Sequence, residues 1–104
     1  ADSKAVRDAL GVSVIPLDPE IARQLGMGAD VKGVVVDIPG SGSAAQAGIR
    51  RGDVLVSVNY KPVSNTAQLA AAIAEAKKAG RSAVLLGVKR RGAPTQYATV
   101  RVDD

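Results

Sequence analysis

The 104-residue chain contains no cysteine and no histidine. Without cysteine it has no disulfide and no thiolate metal site, and it is compatible with either redox compartment. Without histidine it lacks the commonest general base and the commonest metal ligand, so histidine-based triads and two-histidine metal motifs are excluded. Phenylalanine and tryptophan are also missing and only two tyrosines are present, so there is no aromatic platform on which bases could stack. No apolar run approaches the ~18 residues of a membrane span. No signal peptide is visible, and the sequence opens on "ADSKAVRD" without a methionine, which reads as a piece excised from something longer.

The length suits one domain, expected over residues 1–104 with its core at about 7–102. The net charge is +4, with basic clusters at Arg50-Arg51, Lys77-Lys78, Arg81 and Lys89-Arg90-Arg91. Such a balance permits an anionic partner, and a solvated face is the plainer explanation.

Residues 1–8 are small and polar and read as a frayed lead-in. "LGVSVIPL" (10–17) reads as a strand ended by Pro16 and Pro19. "DPEIARQLGM" (18–27) opens with Asp18 as N-cap and Pro19 at the first helical position, and closes at Gly26 or Gly28. "VKGVVVDI" (31–38) is a buried strand and "PGSGS" (39–43) a loop. "SAAQAG" (43–48) compresses a helix, with Ser43 and Gln46 as a capping box and Gly48 as the left-handed exit. In "DVLVSVN" (53–59), Val54, Val56 and Val58 alternate with Leu55, Ser57 and Asn59. The main helix, 65–80, starts at Asn65 or Thr66 and stops at Gly80. Residues 82–90 and 95–102 form a terminal hairpin. Few helices and many short strands make a small α+β domain with a mostly antiparallel sheet.

Nothing in this inventory supports catalysis. No serine sits in a Gly-x-Ser-x-Gly elbow, and no base stands beside "SGSA" (41–44). Asp18, Asp30, Asp37, Asp53 and Glu75 are scattered over separate elements, whereas acid–base work needs two carboxylates converging. "GMGADVKG" (26–33) has Gly-x-Gly spacing, but a strand follows it where a dinucleotide site needs a helix. The expectation is a non-catalytic binding domain with no cofactor and no metal.

Two features point to peptide binding. In "ALGV" (9–12), with Arg7 just ahead, Gly11 lets backbone N–H groups converge on one point, where they would hold a carboxylate. The simpler alternative is that Gly11 only begins a strand. In "LAAAIAEA", Leu69 and Ile73 are the only bulky apolar side chains, and the alanines leave room for a shallow groove beside strand 12–15. An extended peptide could add there as a further strand. The simpler alternative is that alanine is a good helix former.

"RDALGV" (7–12), "SAAQAGIRRGDVLVSVNYKPV" (43–63) and "NTAQLAAAI" (65–73) together resemble a PDZ domain of the bacterial HtrA (Do/DegP) serine proteases. Ala47, Gly48, Ile49, Gly52, Asp53, Val54, Val58, Asn59 and Val63 fit that family's pattern. The resemblance implies a circularly permuted PDZ-like α+β fold. Its partly closed sheet would have five to six mostly antiparallel strands, capped by one long helix and one or two short ones. Two departures stand out. Asn59-Tyr60 replaces the usual Asn-Gly turn, and a tyrosine at positive φ is costly, so a longer or different turn is expected. Ala9 stands where a protease-proximal copy often has tyrosine, which favours a more C-terminal copy.

The same resemblance implies a periplasmic protease and chaperone as parent, with its catalytic residues in another domain. It implies as ligand the apolar C-terminus of an unfolded protein or a neighbouring subunit. The N–H groups of Leu10, Gly11 and Val12 would hold the carboxylate, with Arg7 nearby. Val12, Ser13 and Val14 would pair with the peptide. Leu10, Ala70 and Ile73 would line the terminal pocket, and Thr66 would face an upstream ligand residue. The partners are peptide segments, the protease domain and other subunits, with no nucleic acid and no membrane span. Three alternatives stay open: a spacer with a closed or unused groove, a PDZ domain of another envelope protease or secretion protein, and an anion-binding domain using Arg81, Lys89, Arg90 and Arg91. Arg51-Gly52-Asp53 reads as a joint and not as an adhesion motif: Ile49 plugs the core, Gly52 turns, and Asp53 caps the turn.

Overall fold

The computed structural model describes residues 2–27, 32–39, 46–90 and 93–102. Its elements in chain order are α1 (Asp2–Leu10), β1 (Val12–Pro16), α2 (Pro19–Gln24), β2 (Val34–Pro39), β3 (Val54–Val58), β4 (Lys61–Pro62), α3 (Thr66–Lys78), β5 (Ala83–Lys89) and β6 (Gln96–Arg101). The strands form one six-stranded antiparallel sheet in the order β1-β2-β3-β5-β6, with β4 paired to β3 off that path. Helix α1 packs against both end strands, β1 and β6, and so bridges the open side of the sheet.

Both faces of the sheet are covered. Val34 and Val36 point into the main core under α1 and α3, where Val6, Leu10, Leu69 and Ile73 are buried. Val35 points the other way, into a smaller cluster with Ala22, Met27 and Val54 beneath α2. Burial on both sides explains the continuous valine run, since a strand with two dry faces has no polar positions to alternate.

Local signals decide the helix ends. The Asp18 side chain accepts from the Ile21 N–H at 2.8 Å and Pro19 opens α2. The Asn65 side chain accepts from the Gln68 N–H at 2.8 Å, and Lys77 and Lys78 fill the last turn of α3. Gly48 takes its left-handed exit at φ 90°, while Ser43 of the expected capping box lies outside the described residues.

Four expectations need correction. Residues 1–8 are not a lead-in: Asp2–Leu10 is a helix, because Val6, Ala9 and Leu10 form an apolar stripe at helical spacing that α3 covers. The alternation in β3 breaks. Leu55 and Val58 share the main core although three residues separate them, because the register shifts between Leu55 and Ser57. The short strand β4 goes unpredicted from sequence. Finally, the Asn59-Tyr60 turn is neither longer nor of another type than an Asn-Gly turn. Val58 pairs directly with Lys61, and both turn residues have positive φ, 50° and 68°. That is the backbone of a two-residue I′ hairpin.

The I′ turn is held from outside itself. The Asn59 N–H donates to the Leu85 carbonyl at 2.7 Å, and the Asn59 side-chain oxygen accepts from the Leu85 N–H at 2.9 Å. Tyr60 lies against Tyr97 of β6, ring centroids 5.1 Å apart. The joint at 48–53 is likewise locked. Asp53 Oδ2 accepts from the Arg50 N–H at 2.9 Å, and Arg90 grips the same carboxylate through Nε and Nη2, both at 3.0 Å. Arg90 Nη2 also donates to the Gly48 carbonyl at 2.8 Å. Asp53 holds the Arg90 guanidinium above its ordinary value, first by hydrogen bonding and then by charge. Asp53 is buried, so the Arg51-Gly52-Asp53 segment presents no free carboxylate to a receptor.

Candidate peptide groove

β1 is an end strand of the sheet and, among the described residues, pairs with β2 alone. Its outer edge therefore carries main-chain groups without a strand partner, which is the requirement for strand addition. Helix α3 packs against β1, so the free edge has a helical wall beside it. Val12 and Val14 face the main core with Ile73, and Ala70 packs on its margin. Ser13, between the two valines, is half-buried. Thr66 is the first residue of α3. Its hydroxyl oxygen is buried and, among the described residues, has no hydrogen-bond partner. Arg7 is exposed in the last turn of α1.

Eight of the nine residues singled out from the sequence thus lie on three adjoining elements, α1, β1 and α3, and the ninth, Gly11, joins α1 to β1. The details differ from expectation at the carboxylate end. Leu10 is the last residue of α1, so its neighbourhood is a helix terminus and not a loop. The Gly11 N–H donates to the Arg7 carbonyl at 2.7 Å, and Gly11 leaves the helix at φ 78°. Leu10, inside the helix, spends its N–H on the preceding turn in the same way, so two of the three N–H groups assigned to the carboxylate are engaged inside the chain. Leu10 and Ile73, 0% and 3% exposed, are core side chains and not walls of an open pocket.

Open space occurs on the other flank of α3. A cavity of about 380 Å3 is lined by Val58, Asn59, Lys61, Ala72, Glu75, Ala76, Ala79 and Arg81. A second, of about 290 Å3, shares Lys61, Ala72 and Glu75 with it. An exposed ion pair, Lys61 Nζ to Glu75 Oε2 at 3.3 Å, joins their rims. Sequence reasoning missed this flank because it depends on β4, too short to carry a pattern. Among the described residues no group of acidic, cysteine or histidine side chains could hold a metal ion, and no helix is long and apolar enough to cross a membrane.

Comparison with known proteins bears on what these elements are. A family model described as "PDZ domain" matches residues 8–102. The chain is 42% identical over 80 residues to a probable periplasmic serine endoprotease, DegP-like, of Brucella suis biovar 1 (strain 1330), covering 76% of this chain and 14% of that protein. It is 33% identical over 91 residues to the periplasmic pH-dependent serine endoprotease DegQ of Escherichia coli (strain K12), covering 86% of this chain and 19% of that protein. The chain therefore spans under a fifth of the length of these relatives. Among solved structures, the HtrA-type protease AlgW with decapeptide matches with TM-score 0.64 and 28% identity, over 88% of this chain and 27% of that one. The HtrA3 PDZ domain matches with TM-score 0.67 over 88% of this chain and 81% of that one; at 22% identity this is a likeness of fold. Element order, sheet and family match agree: the chain belongs to the PDZ family of binding modules, in the form carried by HtrA-type serine endoproteases.

Proposed function

We propose that this domain binds extended apolar peptide segments by strand addition to the outer edge of β1, between that strand and α3. The observation that carries the reading is the position of β1, an end strand with α3 alongside. A peptide there pairs its main chain with Val12, Ser13 and Val14, and drops alternate side chains toward Ala70 and the buried Ile73. The unpartnered Thr66 hydroxyl offers a hydrogen bond to an upstream ligand group. A C-terminal carboxylate is held by the N–H groups of Leu10, Gly11 and Val12, with Arg7 supplying charge. The AlgW structure with decapeptide, 28% identical, supports the peptide as ligand class.

The protein from which this domain comes is a periplasmic serine endoprotease of the HtrA type, and the domain serves it by holding the C-termini of unfolded proteins or of neighbouring subunits. The names of the relatives support this reading. The expected affinity is of micromolar order, about −8 kcal/mol. Titration with an apolar peptide as free acid and as C-terminal amide tests the site. The free acid binds more tightly. Equal affinity for the two removes carboxylate capture and leaves strand addition alone.

A further inference from the structure

On the peptide-binding reading above, the ligand's carboxylate belongs at Leu10-Gly11-Val12, where α1 ends. The Gly11 N–H is spent on the Arg7 carbonyl at 2.7 Å. A helix C-terminus presents carbonyl oxygens and the negative end of the dipole, which repel an anion. Leu10 is sealed in the core, and α1 packs on both α3 and β1, the two walls of the groove. As described, then, the site is closed from within its own chain.

The closure rests on packing and not on the helix itself. α1 has nine residues, fewer than the ~12–15 an isolated helix needs to persist in water, so Val6, Ala9 and Leu10 hold it in place. On its exposed side the Lys4–Asp8 pair, Nζ to Oδ2 3.1 Å, is more than 60% exposed at both partners and adds little. Gly11 is the natural hinge, since glycine passes between left-handed and extended backbone without steric cost.

We infer that α1 is an internal gate: peptide capture requires α1 to unwind as a unit, hinged at Gly11, so that the Leu10 and Gly11 N–H groups exchange their helix carbonyls for the ligand carboxylate. This rests on the peptide-binding reading above and adds its regulation. The apparent dissociation constant equals the intrinsic one divided by the open fraction. Anything that steadies α1 therefore weakens binding, and anything that loosens it strengthens binding.

The test weakens α1 where it touches neither groove nor core. Ala5 is exposed in the middle of the helix. Ala5→Gly lowers helix stability by about 1 kcal/mol, an equilibrium shift of about fivefold. The chain carrying Ala5→Gly should bind a free-acid apolar peptide about five times more tightly than the parent, with no gain for the amidated peptide. In the unsubstituted chain, saturation with the same peptide should move the Cα shifts of Ala9 and Leu10 out of the helical range and shift the Gly11 amide. Equal or weaker binding by a folded Ala5→Gly chain, or helical shifts that persist at saturation, overturns the gate while leaving peptide binding intact. Failure of both chains to bind any apolar peptide removes the peptide-binding reading, and the gate falls with it.

Discussion

Replacing Tyr60 by glycine separates two opposing energies that the structure places on one residue. Tyr60 sits at φ 68°, in the left-handed region that a non-glycine residue enters at a cost of about 1 kcal/mol. Its ring also lies 5.1 Å from that of Tyr97, a tilted pair worth ~0.5–1.5 kcal/mol. Tyr60→Gly relieves the first and loses the second, so in the parent chain its effect should be near zero. Tyr97→Ala removes the pair by another route and destabilises by about 1 kcal/mol. In the Tyr97→Ala background the turn strain stands alone, and Tyr60→Gly should then stabilise by about 1 kcal/mol, or ~4–8 °C in Tm for a domain of this size. Thermal melts of the four proteins complete a double-mutant cycle. Equal stabilisation by Tyr60→Gly in both backgrounds would show that the ring pair carries nothing. Destabilisation in the Tyr97→Ala background would refute the strain argument itself.

Other outcomes follow from the same contacts. Arg90→Ala strips Asp53, whose side chain is 7% exposed, of two of its donors and frees the Gly48 carbonyl. Discounted for an Arg90 side chain that is 43% exposed, the loss is about 2 kcal/mol, read as a fall in the urea midpoint; Arg90→Lys recovers part of it. Gly87→Ala drives a Cβ into Ser57 Oγ and should cost ~1–3 kcal/mol, and Ser57→Ala in the same chain should return much of that. Asn65→Ala removes the cap that receives the Gln68 N–H and should cost about 1 kcal/mol, seen in chemical denaturation followed by helical dichroism.

Much of the fold was legible because it rests on local signals. Asp18-Pro19 and Asn65 announce helix starts through hydrogen bonds closed within three residues. Val34–Val36 announces a strand buried on both faces. Gly48 and Gly52, both at φ 90°, announce the joint before β3. What was not legible depends on distant partners. The tight turn at Tyr60 is set by Leu85 and Tyr97. Asp53 was read as a turn cap, which it is, but its second role needs Arg90 from the end of β5. Helix α1 could have been found: Val6, Ala9 and Leu10 recur at helical spacing, and Lys4 stands four residues before Asp8. The polar opening of the chain outweighed that stripe. The residues singled out for the candidate site lie near one another, on α1, β1 and α3 and at the Gly11 joint. The helix end at Leu10 was not legible, because one hydrogen bond, Gly11 to Arg7, closes it, and either a helix end or a loop satisfies the same four letters.

The most direct measurement is intermolecular nuclear Overhauser contact between a bound apolar free-acid peptide and the labelled domain. The account predicts contacts from the peptide main chain to Val12, Ser13 and Val14, and from its terminal side chain to Ala70 and Ile73. Contacts confined to the other sheet edge, Gln96–Arg101, or to the cavity beside Lys61 and Arg81, would contradict it.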